Sequence, residues 1–398
     1  MEHFDQETQR FHTNAYKWGI SEGELPMWVA DMDFQTAPAI IEAIETRTAH
    51  GVFGYNGIPQ AFYQAVAEWW NRRHGLDLEE EWVLFCTGVV PAISSIVRKV
   101  TKVGDKVVIF SPVYNIFYNS IVNNHRNVLS SDLVHQEGHY AIDFEDLEKK
   151  LADAHTSLLV FCNPHNPIGK IWETDTLEKI GRLCLKYQVT IVSDEIHCDL
   201  TFPGIRYNSF YSVSDEVREN VILCCAPTKA FNIAGLQTAA IVVKNQRLRS
   251  LVNRGINTDE VAEPNSFAIQ AAIAAFTKGE SWLEELNHYL YQNREYISFF
   301  LDHRLPEIHL VASQATYLAW LDCSQLTEDA DELCRFIRKQ TGLYLTAGSI
   351  FGENAQDFIR LNYATNRARV EDGLRRLEKG VQLYKETEGF MKRHSDMV

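Results

Sequence analysis

Between residues 80 and 245, short runs of apolar, mostly β-branched residues alternate with longer stretches whose apolar positions recur at helical spacing. Side chains repeat every two residues along a strand and about every 3.6 along a helix, so the two kinds of run read as strands and helices. Strands are expected at 82–86, 106–110, 157–162, 190–196, 221–226 and 239–243, with helical spacing at 91–101, 115–123 and 174–187. The strand runs are apolar throughout, which fits a sheet covered on both faces. This rhythm predicts an α/β fold. After about residue 290 the pattern predicts a helix at 291–303, strands near 308–322, a helix at 328–340, a glycine-containing loop at 348–352, a strand at 358–364 and a helix from 367. That order suggests a smaller α+β domain. The apolar segment 26–34 (PMWVADMDF) is too short to stand alone and is expected to pack with it. The expected division is therefore a large domain at 50–288 and a small one formed by 1–49 and 289–398.

Length supports two domains, since 398 residues exceed one ordinary domain. Charge excludes some partners. With 38 basic and 53 acidic residues the formal net charge is −15, which repels nucleic acid and anionic membrane surfaces. No stretch approaches the roughly 20 apolar residues needed to span a bilayer, and the first residues are polar. A soluble cytoplasmic protein is expected. The eight cysteines lie mostly in apolar runs without C-x-x-C spacing, which predicts core residues and no metal site.

The candidate chemistry sits at the carboxyl ends of the strands, where open α/β sheets bind ligands. Lys229 follows the run 221–226. An amine held there is partly dehydrated, which favours the neutral form able to attack a carbonyl and form a Schiff base; the alternative is a solvated strand-end lysine. Asp194 ends another apolar strand and calls for a cationic partner such as a protonated heteroaromatic nitrogen, unless it caps a helix or holds a metal. His197 is placed to reach the same ligand or to serve structurally. Asn166, in the turn Asn163-Pro164-His165-Asn166-Pro167-Ile168-Gly169, offers an amide to a phenolate-like oxygen; an ordinary Asn-Pro turn is the alternative. Gly88, Val89 and Val90 join a strand to a helix and form a possible phosphate seat. Tyr114 could stack on a planar ring or belong to the core. Arg360 interrupts an apolar strand and needs a bidentate anion, from either a structural carboxylate or a substrate. Two patterns are set aside: His135 and His139 share a segment expected to be a loop, and Gly51, Gly54 and Gly57 lack dinucleotide-site spacing.

Gly88, Tyr114, Asn166, Asp194 and Lys229, in this order, resemble the fold-type I pyridoxal-phosphate enzymes, and the resemblance covers nearly the whole chain. The segments at 26–34, 193–197, 229–236 and 263–265 look like the cystathionine β-lyase branch of the MalY and PatB type. The resemblance implies a mostly parallel seven-stranded sheet in the large domain and pyridoxal 5'-phosphate as cofactor. It implies that Lys229 bonds the cofactor and acts as base, Asp194 keeps the ring nitrogen protonated, Asn166 bonds the ring hydroxyl, Tyr114 stacks on the ring and Arg360 clamps the substrate carboxylate. Tyr55 would reach the phosphate across a homodimer interface. The implied reaction is α,β-elimination from cystathionine or related S-substituted cysteines, giving a thiol, pyruvate and ammonia. An aminotransferase is the alternative, and a MalY-like regulatory binding protein a further one. The sequence departs from related aminotransferases in three places: His197 stands for a tyrosine, Ala226 for a phosphate-binding serine and Gln237 for a phosphate-binding arginine. Thr228 is the expected substitute for the serine.

Overall fold

The computed structural model describes residues 2–395, with side chains described for 3–387. Seven strands form the larger sheet in the order Val83–Cys86, Ala239–Val242, Val221–Cys225, Thr190–Asp194, Thr156–Cys162, Lys106–Ser111 and Asn127–Asp132. Ala239–Val242 runs antiparallel to both neighbours, and the other adjacent pairs are parallel. The pleat sends alternate residues to opposite faces. Val107, Ile109, Leu158 and Val160 pack on one side with Ile93 and Ile96 of the helix Val89–Val100, while Val108, Phe110, Leu159 and Phe161 join the core on the other. Six of these strands match the sequence pattern. The seventh, Asn127–Asp132, escapes it because an edge strand keeps polar positions such as Ser130 and Asp132.

A second sheet is antiparallel throughout and orders His309–Leu310, Leu318–Asp322, Phe358–Asn362 and Thr346–Ala347. Beside it, Leu25–Pro26 pairs with Leu343–Tyr344, so the apolar N-terminal segment does pack with this part of the chain. The helix expected at 291–303 is longer: Glu280–Arg304 is continuous because Trp282, Leu283, Leu286 and Leu290 already bury its first turns. It therefore runs through the boundary drawn at residue 288.

The segment at 135–139 is not a loop but a hairpin, Val134–Gln136 with His139–Ala141. Glu137 and Gly138 both take positive φ, the backbone that a tight two-residue hairpin turn requires.

Residues 27–34 cross from the small sheet to the ends of the large-sheet strands. A buried ion network anchors them: Lys17 Nζ lies 3.1 Å and Arg10 Nη1 3.2 Å from the Asp33 carboxylate, which also accepts from Trp18 Nε1 at 2.8 Å. Despite burial, these partners hold the Asp33 carboxyl below its ordinary range. Asn232 completes the anchor by accepting from the Met32 amide and donating to the Met32 and Phe34 carbonyls.

Candidate active site

A cavity of about 280 Å³ opens at the carboxyl ends of the parallel strands. Gly88, Val89, Val90, Tyr114, Asn166, Asp194, His197, Thr228 and Lys229 all line it, from segments dispersed over some 140 residues of sequence. Topology gathers them, because each follows a parallel strand at the same edge.

Lys229 follows Val221–Cys225 after a short turn, and its Nζ donates to the Ala30 carbonyl at 2.6 Å. Burial lowers its pKa to about 8, helped by the charge of Arg360 and opposed by Asp31 and Asp194. The neutral amine is therefore accessible close to neutral pH. Asp194 is the last residue of its strand and is 5% exposed. Its Oδ1 accepts from the Ile196 amide at 3.1 Å, the local capping role, yet no cationic side chain among the described residues lies within 4 Å. Burial raises its pKa to about 7 against that amide, with Glu195 adding to the rise and Lys229 opposing it. His197 is buried with Nδ1 unpartnered, and burial, Lys229 and Arg360 push its pKa down to about 3, so the ring is neutral.

Asn166 lies in a turn whose Asn163-Pro164 and Asn166-Pro167 bonds are both cis. Its Oδ1 accepts from Arg360 Nη1 at 3.2 Å, which leaves its amide hydrogens for a ligand. Arg360 sits at the centre of Phe358–Asn362, 6% exposed, with its guanidinium 4.8 Å from the Phe351 ring centre. Its Nη2 donates to the Trp28 carbonyl at 3.0 Å, and its Nε has no partner. No carboxylate among the described residues pairs with it, which removes the structural-carboxylate alternative. Burial pulls its pKa to about 10.

At the opposite side, the helix Val89–Val100 begins in the cavity wall. Its first amides have no carbonyl a turn earlier to donate to, and the helix dipole favours an anion there. Gln237 and Ala234 also line the cavity, so no arginine replaces the one absent at position 237 among the lining residues. Tyr55 lies elsewhere: it is fully exposed, beside the exposed Val52 and Phe53, and does not line this chain's cavity.

These residues fit pyridoxal phosphate on their own chemistry. Asp194 is a buried carboxylate short of a cation, Asn166 and neutral His197 offer unengaged polar atoms, Lys229 offers an amine, and the helix start offers unpaired amides. A separate cluster, His74, Cys198 and Asp199, groups possible metal ligands. Asp199 there already accepts from Trp69 Nε1, His74 Nε2 and Arg73 Nε, which makes the cluster a hydrogen-bonded brace.

Sequence reasoning missed the Ala30 carbonyl, Cys162, Ile196 and Ala234 in the lining. Ala30 lies in the apolar segment 26–34, but a backbone carbonyl carries no residue signature. Trp28 stacks its ring on Tyr344, with ring centres 4.6 Å apart, and faces Arg360 through its carbonyl.

The chain matches the profile of the family described as aminotransferase class I and II over residues 24–377. It is 40% identical to "Cystathionine beta-lyase PatB" of Bacillus subtilis (strain 168), covering 94% of this chain and 98% of that one. "Protein MalY" of Escherichia coli (strain K12) is 34% identical over 88% of this chain and 90% of its own length. The solved structure of a PLP-bound C-S lyase from Staphylococcus hominis superposes with a TM-score of 0.89 at 33% identity, covering 95% of this chain and 98% of that one. With the fold, the cavity and these likenesses in agreement, the chain belongs to the class I and II aminotransferase family.

Proposed function

We propose that the protein is a pyridoxal-phosphate-dependent carbon–sulfur β-lyase that cleaves cystathionine or related S-substituted cysteines to a thiol, pyruvate and ammonia. The observation that carries this reading is the convergence on one cavity of Lys229 and a buried Asp194 without a cation, with Arg360, which pairs with no carboxylate among the described residues, bonded to the lining residue Asn166. Likeness to a cystathionine β-lyase over nearly the whole chain selects elimination among the reactions such a site supports.

When bound, the cofactor supplies an electron sink for the charge left on the substrate's α-carbon. Lys229 Nζ would hold the cofactor and then, as a neutral amine, take the α-proton. Asp194 would pair with the protonated ring nitrogen, which relieves the cost of its own burial. Asn166 Nδ2 would donate to the ring oxygen, Tyr114 would cover one ring face, and the amides of Val89 and Val90, with Thr228, would receive the phosphate. His197, neutral and unpaired at Nδ1, would complete the wall around the ring. Arg360 would fix the substrate carboxylate with charge-assisted hydrogen bonds. In this reading residues 50–288 hold the cofactor, and residues 1–49 with 289–398 bring Arg360 and the 27–34 segment over it.

The reading predicts that purified protein releases thiol and pyruvate from cystathionine without any added keto acid. Thiol-free turnover that depends strictly on a keto acid would contradict it and indicate transamination. The exposed Tyr55 is assigned to the partner's phosphate site in a homodimer. Lys229→Ala and Tyr55→Ala chains, each weakly active or inactive alone, should therefore regain activity when refolded together, since a mixed dimer contains one site with both residues intact. Failure of complementation despite heterodimer formation argues against the shared site.

A further inference from the structure

The segment crossing the cavity is held carbonyl by carbonyl. Trp28 O accepts from Arg360 Nη2 and from Thr346 Oγ1, each at 3.0 Å. Ala30 O accepts from Lys229 Nζ at 2.6 Å and from the Tyr317 hydroxyl at 3.0 Å. The carbonyls on either side, Val29 O and Asp31 O, both accept from Asn362 Nδ2, the latter at 2.6 Å. Asp31 N also donates to Val29 O at 2.9 Å, so Ala30 is the apex of a three-residue turn whose carbonyl points to the lysine.

Asn362 is well suited to brace that turn. It is 1% exposed, its Oδ1 accepts from the Ala364 backbone amide at 2.8 Å, and its backbone N donates to Met27 O at 2.9 Å. It lies two residues from Arg360 on the same strand, so both side chains leave the same face. A planar amide offers two hydrogens from one nitrogen, and here both are spent on the carbonyls flanking Ala30.

We propose that Asn362 is a positioning residue for Lys229: by bridging the Val29 and Asp31 carbonyls it aims the Ala30 carbonyl at Nζ, and so governs where that nitrogen points and how firmly it keeps a proton. The proposal rests on the reading of Lys229 as the base. A carbonyl that accepts from an ammonium favours the charged form, so loosening the turn weakens that hold. The titratable and charged groups around Nζ are Arg360, Asp31, Asp194, His197 and Tyr317, and the substitution replaces none of these side chains.

The test uses Asn362→Leu, which keeps bulk and removes both donors, and Asn362→Ser, which keeps one hydroxyl donor should the first fail to fold. Thr346→Val is the control, because it removes one of the two donors to the Trp28 carbonyl without touching the carbonyls beside Ala30. On protein stripped of cofactor, the pH dependence of Lys229 modification by trinitrobenzenesulfonate is followed by mass spectrometry of its peptide. The midpoint should fall by about 0.5–1 unit in Asn362→Leu, the worth of one ordinary hydrogen bond, by less in Asn362→Ser, and not at all in Thr346→Val. In the loaded enzyme kcat should fall about 10-fold with KM nearly unchanged, the mark of an interaction used in proton transfer rather than binding. A folded Asn362 variant with an unmoved midpoint, or an equal shift in Thr346→Val, overturns the positioning role. A midpoint shift in Asn362→Leu together with wild-type protein that releases no thiol would instead overturn the lyase reading and leave the positioning role standing.

Discussion

Replacing Lys229 by alanine abolishes thiol and pyruvate release, with a loss of at least ~10³-fold expected for a residue that both anchors the cofactor and moves the α-proton. The loss should fall on kcat, and Lys229→Arg should not rescue it, because a guanidinium stays charged at any accessible pH and cannot act as base. The wild-type amine has the opposite character: burial brings its pKa to about 8, so deprotonation needs only a mildly alkaline pH. The folded protein should be little harmed, since the side chain makes one hydrogen bond, to Ala30 O. Full activity in Lys229→Ala would remove the basis of the assignment.

The second large effect is expected at Asp194, and it has opposite signs in two measurements. With its pKa raised to about 7 by burial, the carboxylate destabilises the cofactor-free fold as pH rises from the ordinary carboxylate range through 7. Asp194→Asn removes that cost, so the stripped variant should melt higher than stripped wild type at pH 8 and match it near pH 4. Activity moves the other way. Without a negative charge opposite it, the ring nitrogen is no longer held protonated, and turnover should drop ~10²-fold or more, a typical scale for losing one preorganised electrostatic partner. Equal melting at pH 8 together with undiminished turnover would show that Asp194 faces no charge-bearing ligand.

The residues carrying these effects were legible because their chemistry conflicts with their place in the sequence. A lysine, an aspartate and an arginine at or inside apolar strands demand partners, and the order of βα units assigns Lys229 and Asp194 to one sheet edge. Strand runs were legible where both faces are covered; the polar edge strand Asn127–Asp132 was not. The hairpin around Glu137 and Gly138 went unread because glutamate is not a usual residue for a positive φ. The hold on Lys229 was the least visible, since its acceptor is a backbone carbonyl 199 residues away and its brace, Asn362, reads as a plain strand residue.

The most direct measurement is reduction of the holoenzyme with borohydride, followed by digestion and mass mapping of the lysine that carries the cofactor. The pyridoxyl phosphate mass should appear on the peptide containing Lys229, and its yield should vanish in Lys229→Ala. Attachment at another lysine, such as the half-buried Lys170 outside the cavity, or no attachment at all, would contradict the account.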